Sequence, residues 1–193
     1  MVLGDWYWYA FGDGVLEDFQ SEKVNPGSYD VTMDDTIMLQ VFRGREYPNT
    51  KAKLDDSGYM RFTCPYTGER QTVFSDFDRG DCFLASTMEY FYVPRFISLQ
   101  YLDKSSTGRE GISHRHAGYI DAGFRGTLTL EFDVHRSGRL MPYLPIGQVV
   151  ASLTWSLYPY SKRKTSRYVG QEGVTGSRNK QLAFKASVDE MIK

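Results

Sequence analysis

Two clusters in the sequence carry side chains able to hold or transform a ligand. Lys104-Ser105-Ser106-Thr107-Gly108-Arg109 sets three hydroxyls, a glycine and two cations within six residues, directly after an apolar stretch. Hydroxyl and charge-assisted donors at that density suit phosphate oxygens; an ordinary polar loop has the same composition. The second cluster runs His114-Arg115-His116-Ala117-Gly118-Tyr119-Ile120-Asp121-Ala122-Gly123-Phe124-Arg125-Gly126 and leads into a segment containing Glu131. Glu131 falls on the polar side of an alternating run, so a pocket built against that side would contain it, whereas without a pocket it is a solvated strand carboxylate. His114 and His116 share one strand face without a third ligand, which favours packing or hydrogen bonding over metal binding. No His-Glu-x-x-His or Gly-x-Ser-x-Gly is present, and Cys64 and Cys82 lie far apart without a Cys-x-x-Cys, so two free thiols are expected.

Strands must position these residues. In 127–134, Leu128, Leu130, Phe132 and Val134 fall on one face and Thr127, Thr129, Glu131 and Asp133 on the other. Val149, Ala151, Leu153, Trp155 and Leu157 repeat the period, and 96–102 and 31–42 are aromatic and β-branched stretches suited to strands. Turn residues separate them at 25–28, Asn-Pro-Gly-Ser, and at 78–81, Asp-Arg-Gly-Asp. Helical period is scarce, with candidates only around 15–19 and in the tail from 181 to 192. An all-β sandwich or barrel-like domain with few short helices follows. Residues 162–176, rich in basic, small and hydroxyl side chains, read as a mobile, solvated segment.

The length of 193 residues suits one domain spanning 1–193, and 41% hydrophobic residues with 14 Tyr, 12 Phe and 3 Trp can fill its core. A net charge of −1 without like-charge blocks gives no electrostatic reason to expect nucleic acid or an anionic membrane surface as partner. No apolar run is long enough to span a membrane, and Met1-Val2-Leu3-Gly4-Asp5 has no signal-peptide character, so a cytoplasmic location is expected.

The order and spacing of these motifs resemble the dCTP deaminase family of the trimeric dUTPase superfamily. The resemblance rests on Ser105-Ser106-x-x-Arg109, the 117–126 run Ala-Gly-Tyr-Ile-Asp-Ala-Gly-Phe-x-Gly, Leu130-Glu131, Tyr160, Arg167-Tyr168-x-x-Gln171 and Ser177-Arg178. Leu3-x-Asp5, Ser28-Tyr29-Asp30-Val31, Thr87-x-Glu89-Tyr90 and Ile146-Gly147-Gln148 extend it over nearly the whole chain. It implies a dUTPase-like distorted β-barrel or jelly roll, a homotrimer, and a deoxycytidine or deoxyuridine nucleotide as ligand. It also implies hydrolytic deamination without zinc, and neither His-x-Glu nor Pro-Cys-x-x-Cys, the zinc deaminase signatures, occurs here.

By the same resemblance, Glu131 transfers protons, Asp121 accepts from the deoxyribose 3′-hydroxyl, and Phe124 crowds the 2′ position. Lys104, Ser105, Ser106 and Arg109 match a triphosphate loop supplied by a neighbouring subunit; Ala117 and Tyr119 fall at substrate-binding positions. Tyr160, Arg167 and Gln171 match tail positions that close over the nucleotide, and Mg²⁺ would bridge phosphate oxygens. Three positions depart from the family: Lys104 replaces an arginine, Arg167 a lysine, and His116 a threonine. Tyr119 resembles the form found in bifunctional enzymes that also cleave dUTP to dUMP and pyrophosphate. A dUTPase alone, a dCMP deaminase and a catalytically silent nucleotide-binding regulator remain alternatives.

Overall fold

The alternating segments do become strands. The computed structural model describes residues 1–115, 118–154 and 170–176. Among them are two α-helices, α1 (Asp5–Val15) and α2 (Ser105–Arg109). The first seven strands are β1 (Val24–Asn25), β2 (Ser28–Phe42), β3 (Arg45–Leu54), β4 (Tyr59–Thr63), β5 (Arg70–Phe74), β6 (Asp76–Phe77) and β7 (Cys82–Tyr92). Then come β8 (Ile97–Asp103), β9 (Ile112–His114), β10 (Tyr119–Ile120), β11 (Arg125–Val134), β12 (Gly138–Arg139) and β13 (Pro145–Leu153).

Strand β2 organises the fold because it belongs to two sheets. Its first half, Tyr29 to Thr32, pairs with β13, which pairs in turn with β8 and through it with β10. Its second half, Thr36 to Phe42, pairs with β3 on one edge and β7 on the other. The pairing is irregular between Met33 and Ile37, where the strand passes from one sheet to the other. Strand β7 also pairs with β11, and β11 with β9, all antiparallel. Among the described residues this ladder is open at β10 and β5, and the arrangement is jelly-roll-like.

The core lies where β2, β7 and β11 turn their apolar sides inward, burying Ile37, Leu39, Phe83, Ala85, Leu130 and Phe132. Phe42, Phe77, Phe83 and Phe132 form a continuous aromatic column, with successive ring centroids 5.1, 5.0 and 5.4 Å apart. Each such ring contributes about 1.5–3 kcal/mol by leaving water. Cys64 and Cys82 are both free thiols in buried positions.

The expected helix around 15–19 lies earlier in the chain, at Asp5–Val15. Tyr7, Trp8, Gly12 and Val15 form its buried face, with Trp8 against Tyr29 at 5.4 Å. It stops because Leu16 is extended and bridges Phe91, and Asp18 then takes a left-handed φ of 55°. Phe19 stacks on Tyr29 as part of the returning chain. Both expected turns form, Pro26-Gly27 between β1 and β2 and Arg79-Gly80 before β7. The strand from Val149 begins four residues earlier, at Pro145, and Trp155 and Leu157 lie outside the described residues, as does the tail from 181 to 192. No described helix is long and apolar enough to cross a membrane.

Candidate active site

Strand β11 carries the site because its two faces do different work. Leu130 and Phe132 point into the core, so Glu131 between them points out, half-buried, into a cavity of about 310 Å³. Its backbone carbonyl accepts from the Arg115 amide at 2.8 Å, which pins this part of the strand. Between Thr127 and Thr129 the pairing with β7 jumps from Tyr90 to Ser86, leaving Thr87, Met88 and Glu89 opposite Leu128 alone. Thr87 Oγ1 fills the gap by accepting the Leu128 amide at 2.9 Å. Thr127, expected on the polar face, is instead buried at this bulge, its hydroxyl accepting from Ser86 at 3.1 Å.

Asp121 and Phe124 reach the same cavity through a tight turn in which the Phe124 amide donates to the Asp121 carbonyl at 3.1 Å. Gly123 makes the turn possible with φ of 83°. Phe124 is buried on the cavity wall, Asp121 is exposed at its mouth, and Tyr119 stands at the lip with 65% of its surface exposed. The backbone behind Tyr119 is held by Tyr101, whose amide donates to the Gly118 carbonyl at 2.7 Å. Tyr101 is buried, donates its hydroxyl to the Ile146 carbonyl at 3.1 Å, and has its phenol pKa pushed far up by burial.

One wall of the cavity is a strap, residues 170–176, which returns alongside the start of β11. Composition suggested a solvated segment here, while the resemblance put Gln171 in a tail closing over the site; the described part is docked, with Gln171 and Val174 buried. The Gly170 amide donates to the Arg125 carbonyl at 2.7 Å, and the Thr127 amide to the Gln171 carbonyl at 3.1 Å. Gln171 Nε2 donates to the Thr127 carbonyl at 2.6 Å, which leaves Oε1 buried without a hydrogen-bond partner among the described residues. Val174 packs with Met38 and Leu84 in a small apolar cluster of its own. The strap docks because these directional bonds and two buried side chains, Gln171 and Val174, offset the ordering of a few residues.

The serine cluster lies elsewhere. It is one turn of helix, α2, rather than a loop, with Ser105, Ser106 and Arg109 exposed. Ser106 and Thr107 border a second, apolar cavity of about 220 Å³ behind Phe132, and neither they nor Arg109 line the cavity of Glu131. Lys104 is ion-paired with Asp30. His114 packs edge-on against Tyr101 at 4.7 Å and Phe132 at 5.8 Å. Among the described residues no three His, Cys, Asp or Glu gather as a metal site. His116, Ala117, Tyr160, Arg167, Tyr168, Ser177 and Arg178 lie outside the described residues. Sequence reasoning did not single out Gln40, Thr129 or Thr175 as cavity-lining residues; only Thr129, two places before Glu131 on the same face, carried a signal.

In fold, this is one of the all-β proteins built like the dCTP deaminase of Agrobacterium tumefaciens, with a TM-score of 0.55 at 19% identity over 79% of this chain. The match covers 48% of that longer chain. The chain belongs to the dCTP deaminase-like family, whose model matches residues 9–153. It is similar to the dUMP-forming dCTP deaminase of Streptomyces griseus, at 34% identity over 179 residues, 90% of this chain and 91% of that one. The enzyme of the same name from Methanocaldococcus jannaschii is 35% identical over 182 residues, 84% of this chain and 87% of that one.

Proposed function

We propose that the protein hydrolytically deaminates dCTP and cleaves the resulting dUTP to dUMP and pyrophosphate. The observation that carries this reading is the convergence of Glu131, Asp121, Phe124 and Tyr119 on one cavity. Glu131 takes a proton from water as the oxygen adds to C4 of the cytosine ring, and delivers it to N3. A second proton, from the new hydroxyl, passes through the same carboxylate to the amino group. The C4–N bond then breaks, ammonia leaves, and Glu131 is again a carboxylate. Asp121 accepts from the 3′-hydroxyl, while buried Phe124 occupies the space a 2′-hydroxyl needs. In the second step, water displaces pyrophosphate from the α-phosphorus, with Asp121 the acid available to orient it.

Ser105, Ser106 and Arg109 lie outside their own chain's cavity, which supports a homotrimer in which they reach the triphosphate bound by a neighbouring copy. Mg²⁺ would be held by the triphosphate oxygens and water, for which no three-residue protein cage is needed, and would neutralise phosphate charge. Tyr160, Arg167 and Ala117 are proposed as further nucleotide contacts on the strength of the sequence resemblance.

Glu131→Gln tests the assignment, because the amide keeps the shape and cannot shuttle protons. Ammonia release from dCTP should fall by about 10²–10⁴-fold with dCTP binding retained. Near-normal ammonia release would overturn the mechanism, and pyrophosphate from dUTP without ammonia from dCTP in the unmodified protein would leave a dUTPase.

A further inference from the structure

Thr129 precedes Glu131 by two residues on the same side of β11, and its hydroxyl meets the strap. Thr129 Oγ1 accepts the Thr175 amide at 3.2 Å and lies 3.5 Å from Gln171 Nε2. We propose that Thr129 is a positioning residue for substrate binding at this site: its hydroxyl ties the far end of the strap to the strand bearing Glu131, two residues away, and so holds the strap over the bound nucleotide. The inference rests on the deaminase reading of this cavity.

The strap has three attachments, and they differ in kind. Around Thr127 it is held by main-chain bonds and the Gln171 amide, at the end nearer Gly170. Val174 is held by burial against Met38 and Leu84, a contact that fixes depth without fixing direction. Beyond Val174 the directional link is the Thr175 amide, and its acceptor is the Thr129 side chain. Removing that hydroxyl leaves a partly buried amide without its acceptor, a cost the strap escapes by lifting from Val174 onward. Water then reaches the wall on which Glu131 stands, and the loosened strap no longer encloses a bound nucleotide.

Thr129→Val removes the hydroxyl at nearly constant shape, and Thr129→Ser keeps it. For Thr129→Val we expect KM for dCTP to rise about five- to tenfold, the loss of one hydrogen bond, with kcat falling less. Amide exchange at Val174 and Thr175 in the full chain should accelerate by a similar factor. Thr129→Ser should stay within about twofold of the unmodified protein in both readouts. Unchanged KM and exchange in Thr129→Val, or equal damage in Thr129→Ser, would overturn the proposal. If the unmodified protein releases no ammonia from dCTP, the functional reading fails, and the exchange rates at Thr175 still decide whether Thr129 holds the strap.

Discussion

Thr127 and Gln171 are bonded to each other twice, the Thr127 amide donating to the Gln171 carbonyl at 3.1 Å and Gln171 Nε2 donating to the Thr127 carbonyl at 2.6 Å. So close a pairing requires a neighbour without a side chain. Gly126 provides it, with φ of 136°, and a Cβ there would stand 2.7 Å from the Gln171 carbonyl oxygen. The glycine is thus as much a part of the cavity as the residues lining it.

Gly126→Ala should therefore displace the strap. Strain of about 1–3 kcal/mol at a glycine-only φ adds to the clash, so the strap should release rather than the core yield. KM for dCTP is expected to rise at least about tenfold while thermal unfolding moves by only a few degrees. Steady-state kinetics together with a melting curve check both halves of the statement.

Subunit mixing tests whether sites are shared. Chains carrying Ser106→Ala and Arg109→Ala should be inactive, as should chains carrying Glu131→Gln. Mixed under conditions that let subunits exchange, they should regain a fraction of activity through sites that draw the intact α2 from one chain and the intact Glu131 from another. Failure to regain activity, with light scattering showing mixed assemblies, would place both groups on the same chain.

Gly147 faces the ring of Tyr101, and a Cβ on it would overlap that ring. Gly147→Ala should push Tyr101 away from its position beneath Gly118 and destabilise the fold by about 1–3 kcal/mol, the usual cost of overpacking. Denaturant unfolding reads the loss directly. A smaller Tyr101→Phe change in the Gly147→Ala background should not restore it, because the overlap involves ring carbons as well as the hydroxyl.

Acid should weaken one link beside the site. Arg115 hydrogen-bonds Asp133 through Nε and Nη2, holding that carboxyl below the usual carboxylate range. A lowered folded value means the stabilisation is complete above the unfolded value, about 3.9, and disappears as pH falls through the folded one. Asp133→Asn should thus lower stability near neutral pH and make no difference at strongly acidic pH. Both side chains are more than a third exposed, so the neutral-pH effect should not exceed about 1 kcal/mol. Melting temperatures of both proteins across the acid range provide the check.

Period-two alternation made β11 and the placing of Glu131 legible in the sequence, since Leu130 and Phe132 fix which way the intervening side chain points. The order of motifs made the family legible. The bulge at Thr127 was not, because it depends on Thr87 standing across the sheet to satisfy the Leu128 amide, a partner 41 residues away. The strap was legible only through the resemblance, which places Gln171 among tail positions that close over the nucleotide, and not through composition. Its composition is that of a solvated tail, and its few anchors, Gln171 and Val174, are meaningful only once Thr127, Met38 and Leu84 are known to await them. Helix α1 was misplaced because its buried face, Tyr7, Trp8, Gly12 and Val15, includes a glycine, while the exposed Trp6, Tyr9 and Phe11 on its other side blur the apolar stripe in the sequence.

Glu131 shares its backbone with Phe132, and Phe132 is the end of the aromatic column through Phe83 and Phe77. Neighbours on a strand cannot be moved independently, so a displacement of that column is handed on to the carboxylate, and under the role proposed for Glu131 an ångström of misplacement there would cost about a hundredfold in rate. Phe77 and Phe83 do not line the cavity of Glu131, yet they form the rear mounting of the strand that bears it. A mutational screen for altered turnover should find hits behind the cavity as well as around its rim.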